Sequence, residues 1–256
     1  MHAFGARGSI GRENKMADPA DDRVYPKYDY DEYPKTLPSD DFWGQVRRTV
    51  NGKAIGTEQI KMIVDAVRDG LAFHSSDGLL DIACGNGALS KELFGDISYF
   101  RGIDSSEYLI KVAKTHFADP PNFEFDKIDV RSFISSKSQY PRLNKALCYG
   151  SFSYFSEDDG EHLLGQLSTC CPNIEVLYIG NNPDLDRAHL FYQNDSVERS
   201  LLKTHRSQIG RWRSRPEFID LAFRTGWTCE VRLMPKEFYA SHYRFDAILR
   251  RIHGTL

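Results

Sequence analysis

Gly78-Leu79-Leu80-Asp81-Ile82-Ala83-Cys84-Gly85-Asn86-Gly87-Ala88-Leu89-Ser90 is the stretch whose reading decides the fold. Leu79, Leu80 and Ile82 make a short apolar run, the pattern of a parallel strand buried on both faces. The run ends in Gly85-Asn86-Gly87. Helix-forming residues Ala88 to Phe94 follow, with Gly95 as their expected C′ stop. Strand, glycine turn and helix form a nucleotide-binding geometry. Glycines permit positive φ and close backbone approach, and the helix N-terminus behind them offers free N–H groups and partial positive charge. Two residues narrow the ligand. Ser90 stands where a dinucleotide fingerprint places its third glycine. Asp81 precedes the turn, where it repels a pyrophosphate and favours a cation. Both disfavour a dinucleotide-dependent dehydrogenase.

The chain continues as alternating strands and helices. Ser98 to Asp104 reads as the second strand, with an acid at its tip that suits a ribose diol or, alternatively, caps the helix opened by Ser105-Ser106. Asn122 to Val130 alternates as the third strand and ends in Asp129. Lys145 to Tyr149 is the fourth, running into Gly150 and an aromatic loop. Ile174 to Gly180 is the fifth. Ahead of the first strand, Thr57 is the expected N-cap of a helix striped by Ile60, Ile63, Val64, Val67 and Leu71. Trp227 to Met234 and Tyr243 to Leu249 are the last two strands, joined by a link short enough for an antiparallel pair. Arg244 and Asp246, at i and i+2, share one face of the last strand and need partners there.

The glycine stretch resembles motif I of the class I S-adenosylmethionine-dependent methyltransferases, and the region after the fourth strand resembles their motif IV. Gln45-Val46-Arg47-Arg48-Thr49 is similar to a segment that many small-molecule members fold over the cofactor. The ending His242-Tyr243-Arg244-Phe245-Asp246 resembles bacterial members of small-molecule and surface-polysaccharide biosynthesis. The resemblance implies an α/β, Rossmann-like three-layer sandwich with a seven-stranded, mostly parallel sheet in the order 3-2-1-4-5-7-6, its last strand antiparallel. It implies S-adenosyl-L-methionine as cofactor. It assigns Asp81, Ala83, Cys84, Gly85 and Gly87 to the cofactor turn, Asp104 and Ser105 to the ribose, Asp129 and Val130 to the adenine, and Tyr149 and Gly150 to the methyl end. Gln45, Arg48 and Thr49 fall to the cofactor carboxylate. Asn181-Asn182-Pro183-Asp184 has only a superficial likeness to the box of adenine-N6 methyltransferases, because it follows the fifth strand and lacks the second proline and the tyrosine.

The expected reaction is methyl transfer to an oxygen or nitrogen of a small molecule, such as an anionic sugar or natural-product intermediate. A non-catalytic cofactor-binding protein and an RNA or protein methyltransferase stand as alternatives. An alcohol acceptor needs a base, for which His242 and His205 are the candidates. No His, Asp and Glu cluster has metal-ligand spacing. Residues 184–213 form a long insertion at the ligand edge. From Lys203 to Arg215 it carries His205, Arg206, Arg211 and Arg213 without an acid, which suggests an anion-binding overhang.

Composition bounds the rest. A chain of 256 residues, 41% hydrophobic, suits one domain with an appendage. Residues 1–40 read as an N-terminal extension, disordered through residue 24 and then either disordered or lid-like, and 41–256 as the domain with a helical cap. A net charge of −3 gives no broad pull on nucleic acid or anionic membrane. Five cysteines without a Cys-x-x-Cys read as reduced thiols in a cytoplasm. No apolar run reaches the ~18 residues a membrane span needs. The oligomeric state is open, a homodimer included.

Overall fold

The computed structural model describes residues 30–135, 140–192, 199–205, 207 and 209–253. Residues 1–29 of the expected extension, with the disorder expected through residue 24, and Arg206 lie outside them.

Seven strands form the central sheet: β1 Gly78–Ile82, β2 Tyr99–Asp104, β3 Phe123–Lys127, β4 Lys145–Tyr149, β5 Val176–Pro183, β6 Trp227–Arg232 and β7 Arg244–Arg251. Their spatial order is β3-β2-β1-β4-β5-β7-β6, the expected one. The first five run parallel. Leu80 lies opposite Arg101 of β2 and Ala146 of β4. β7 enters between β5 and β6 and runs antiparallel to both, so its first residue, Arg244, lies opposite Pro183 at the carboxyl end of β5. That reversal brings β7's beginning to the edge where the parallel strands end.

Helices cover both faces because every strand of the interior is apolar on both. On one face α2 (Thr57–Leu71) packs Ile63, Val67 and Leu71 against Leu79, Leu147 and Tyr178, beside α3 (Ala88–Lys91) and α4 (Glu107–Phe117). On the other, α5 (Val130–Ser135), α6 (Glu157–Cys170) and α9 (Arg215–Arg224) set Leu163, Leu164, Leu167, Phe218 and Leu221 against Leu80, Ala146, Leu177 and Phe245. Full burial of such side chains contributes roughly 1.5–3 kcal/mol each. Ser106, Ser156 and Ser214 cap α4, α6 and α9 by accepting a backbone N–H of the first turn. Ser214 and Glu217 complete a reciprocal capping box.

Three local expectations shift. The N-cap of α2 is Gly56, with Thr57 already in the helix. α3 stops at Lys91, and Phe94–Asp96 form a 3-10 turn instead of more α-helix. Leaving the helix there lets Phe94 pack on Phe100 and Phe123, with ring centroids 4.9 and 4.5 Å apart. β5 continues through Asn181-Asn182-Pro183, with a register shift between Ile179 and Asn182 where Asn181 takes φ 66°.

Ahead of the sheet, a one-turn helix α1 (Phe42–Gln45) and a hairpin of Thr49–Val50 with Lys53–Ala54 form the cap. Within 184–213, α7 (Ala188–Tyr192) and α8 (Arg199–Leu202) are held down by buried Trp212 and Leu202, and Asp184 bridges to Arg213. No described helix is long and apolar enough to cross a membrane.

Candidate active site

After β1 the backbone makes its turn through three residues at positive φ: Ala83 (57°), Gly85 (60°) and Gly87 (76°). A Cβ at Gly87 would come within 2.6 Å of the Phe125 ring, so both space and backbone demand glycine there. Ala83 holds a left-handed conformation with a side chain, a strained choice beside a binding turn. The Gly85 N–H donates to Asp104 Oδ2 at 2.8 Å, and the Ser106 N–H to Asp104 Oδ1 at 2.8 Å. Burial still raises the Asp104 carboxyl, against the pull of those backbone bonds. Asn86 is buried. Its Nδ2 donates to the Phe42 carbonyl at 2.8 Å and to Gln45 Oε1 at 3.0 Å, which ties the turn to the cap.

These elements close around a cavity of about 560 Å³ at the carboxyl ends of β1, β2, β3, β4 and β5 and the start of β7, in the size range of small-molecule sites. Arg48, Thr49, Ala83, Cys84, Gly85, Asp104, Ser105, Asp129, Val130, Tyr149 and Gly150 line it.

Three expected residues stand behind the wall. Gln45 is fully buried and its amide donates to the Pro38 and Ser39 carbonyls, so it braces the cap and does not face the cavity. Asp81 lies under the turn, where Ser90 Oγ donates to Oδ2 at 2.6 Å and burial lifts the carboxyl to about 7. Gly87 shapes the turn from outside the lining. Ser90, which in the sequence only argues against a dinucleotide, is thus the partner of Asp81.

Neither expected base reaches the cavity. His242 is exposed against the edge of Tyr243, and His205 is buried outside the lining. The basic stretch is also corrected. Arg211 pairs with Glu157 at 2.7 Å, Arg215 with Asp184 at 2.9 Å and Lys203 with Glu217 at 2.8 Å. Arg213 is buried over the Phe152 ring at 5.3 Å, and burial lowers it to about 10. None of the four lines the cavity, and acids distant in sequence supply the balance that the local count lacked. The insertion reaches the cavity through apolar Phe191 and Ile209 instead.

The cavity also has a polar wall that sequence reasoning passed over: Tyr30, Arg47, Asn181, Tyr239, Tyr243 and Arg244. Arg48 lies 4.5 Å over the Tyr149 ring, and Arg47 4.0 Å over Tyr33. Arg48 Nε, Tyr149 OH, Asn181 Oδ1 and Arg244 Nε are buried without a hydrogen-bond partner. Buried polar groups normally have partners. Several orphans around one cavity are the mark of a polar ligand's seat.

The sheet order, the turn after β1 and the acid at the tip of β2 define the class I S-adenosylmethionine-dependent methyltransferases. Residues 79–172 match the family model described as a methyltransferase domain. Solved structures share the fold. Magnesium protoporphyrin IX methyltransferase from Synechocystis PCC 6803, with bound S-adenosylhomocysteine, is 15% identical with a TM-score of 0.52, over 76% of this chain and 83% of that one. The cyclopropane synthase MmaA2 from Mycobacterium tuberculosis is 12% identical with a TM-score of 0.62, over 90% and 99%. DhpI in complex with S-adenosylhomocysteine is 18% identical with a TM-score of 0.53, over 77% and 86%. No curated protein matches the chain.

The donors on the cap side, Arg48 foremost, and the acids at the strand tips fit S-adenosylmethionine. It brings a carboxylate for a free guanidinium, hydroxyls for a carboxylate, and a positive charge that suits the acids around the turn.

Proposed function

We propose that this chain transfers the methyl group of S-adenosylmethionine to an oxygen or nitrogen of a small-molecule acceptor. The observation that carries the reading is Asp104. It lines the cavity at the tip of β2, its two oxygens aligned by the N–H groups of Gly85 and Ser106, each with acceptor capacity left for a ribose hydroxyl. Asp129 accepts from the Arg131 N–H at 2.8 Å, which fixes it to receive the adenine amino group beside the Val130 N–H. Arg48 and Thr49 hold the carboxylate of the cofactor's amino-acid end, and Tyr149 and Gly150 face its methyl. The sulfonium supplies an already activated methyl. The protein's contribution is alignment and exclusion of water by the cap, Tyr30 and the insertion.

A small acceptor suits a cavity roofed by the cap and the insertion. Among the solved structures of the same fold, one is named for magnesium protoporphyrin IX and one for cyclopropane synthesis. The test is incubation with methyl-labelled S-adenosylmethionine and separate small-molecule, RNA and protein fractions of a cell extract. Label in a small soluble product supports the reading. Label confined to RNA or protein overturns the acceptor class, and no release of S-adenosylhomocysteine with any fraction leaves a binding protein without turnover.

A further inference from the structure

We propose that the acceptor is an oxyanion, a carboxylate or a phosphonate or phosphate oxygen, seated on Arg244 and methylated on that oxygen with no general base. This rests on the cofactor seating above and names the substrate class of the same site.

Arg244 opens β7 and lines the cavity on the β5 side, with Tyr243, Tyr239 and Tyr154 around it. Its Nη1 donates to the Asn181 carbonyl, its guanidinium lies 5.0 Å from the Tyr243 ring centroid, and its Nε is without a partner. No described carboxylate forms a salt bridge with it. Asp246, on the same face of β7, commits Oδ2 to Tyr178 OH at 2.6 Å and Oδ1 to the Asn181 N–H at 2.6 Å. A buried guanidinium, held by the Asn181 carbonyl and Tyr243 with Nε left over, is a seat for a planar or tetrahedral oxyanion.

Charge points the same way. The described lining residues carry Arg47, Arg48 and Arg244 against Asp104 and Asp129, a formal sum of +3 − 2 = +1. The cofactor's sulfonium, ammonium and carboxylate add another +1. Asp81, behind the wall, removes at most one of these. Asp246, behind Arg244, removes at most one more, so the site with cofactor bound carries no net negative charge to repel an anion.

The usual bases for an alcohol are missing from the described lining. It holds no histidine and no lysine. Its two carboxylates sit at the cofactor's ribose and adenine ends, each bound by backbone N–H groups. Burial raises the tyrosines Tyr30, Tyr149 and Tyr239, so they hold their protons. An oxyanion needs no base. The acceptor oxygen donates a lone pair to the methyl carbon and forms the C–O bond while the S–CH₃ bond breaks. The bonding pair stays on sulfur, and a neutral thioether results with an ester that carries one negative charge fewer than the acceptor, no proton having moved.

The experiment is calorimetric titration of the full chain, first with S-adenosylhomocysteine and then, with that ligand saturating, with benzoate, phenylphosphonate, benzyl alcohol and benzamide, whose ring suits the aromatic wall. Benzoate or phenylphosphonate is expected to bind at least tenfold more tightly than the two neutral probes, and which of the two wins separates a carboxylate from a phosphonate or phosphate acceptor. Arg244→Gln is expected to weaken the preferred anion at least tenfold with S-adenosylhomocysteine affinity within threefold of the wild type. Arg244→Lys, which keeps the charge, should recover part of the loss. Failure of S-adenosylhomocysteine to bind the wild type overturns the cofactor reading and this one with it. Its binding with equal affinity for anionic and neutral probes, with none of the four binding, or with anion affinity unchanged in Arg244→Gln overturns this inference alone.

Discussion

Gly85 and Asp104 are joined by one hydrogen bond, from the backbone N–H of the first to Oδ2 of the second at 2.8 Å. The bond ties the glycine turn after β1 to the tip of β2. It aims the carboxylate into the cavity and holds the turn open around it. The two strand ends that a nucleoside has to meet are thereby one rigid unit before any ligand arrives, which reduces the ordering that binding must still impose.

Asp81 gives the fold a pH dependence. Burial, opposed by the Ser90 hydroxyl and the charge of Arg48, lifts its carboxyl from 3.8 to about 7. A raised acid keeps its proton longer in the folded chain than in the unfolded one. Its contribution to stability is therefore full below about pH 4 and is lost as pH rises through about 7. Asp81→Asn keeps an oxygen for Ser90 and removes that loss. Denaturant unfolding should show the variant more stable than the wild type at pH 8, by on the order of a few kcal/mol, and the gap should close toward pH 4. A difference that is the same at both ends contradicts the assignment.

Ala83 carries a Cβ at φ 57°, where a glycine has no steric penalty. Ala83→Gly should relieve the strain and raise unfolding free energy by roughly 0.5–1 kcal/mol, with cofactor affinity kept. The gain is net of the greater freedom of glycine in the unfolded chain. A destabilised variant would show that the methyl group's packing outweighs the backbone strain.

The cap is expected to be part of the cofactor site. Tyr30, Arg47, Arg48 and Thr49 line the cavity. Removing residues 1–24 should leave S-adenosylhomocysteine affinity nearly unchanged, whereas removing 1–55 should abolish measurable binding. Because the longer deletion also removes Gln45 and Phe42 and leaves buried Asn86 without those partners, Arg48→Ala provides the finer arm, with an expected loss of about 1.5–3 kcal/mol for a charged hydrogen bond. Normal binding by either the longer deletion or Arg48→Ala removes the cap from the cofactor site.

Much of this architecture was legible in the sequence because its signals are local. Leu79, Leu80 and Ile82 mark a strand buried on both faces, and the spacing from Asp81 to Asp104 marks two neighbouring strand tips. The misreadings came from contacts between distant segments. Gln45 is drawn away from the cavity by Asn86, 41 residues on. Lys203, Arg211 and Arg215 look unbalanced only until Glu217, Glu157 and Asp184 fold against them. The face shared by Arg244 and Asp246 was readable from their spacing. That β7 would enter reversed between β5 and β6, and so deliver Arg244 to the ligand edge, followed from the family's strand order. That its charge would face a cavity whose described lining holds no histidine and no lysine did not. The end of α3 at Lys91 depends on Phe94 meeting Phe123, a contact set by the sheet and not by helix propensity.

The central claim is that the cavity seats the nucleoside of S-adenosylmethionine on Asp104. The direct measurement is calorimetric titration of the wild type and Asp104→Ala with S-adenosylhomocysteine and with NAD. The account predicts binding of S-adenosylhomocysteine and not of NAD by the wild type, and a loss of about 1–3 kcal/mol in the variant with its circular dichroism unchanged. Equal S-adenosylhomocysteine affinity in a folded Asp104→Ala variant, or a preference for NAD, would contradict it.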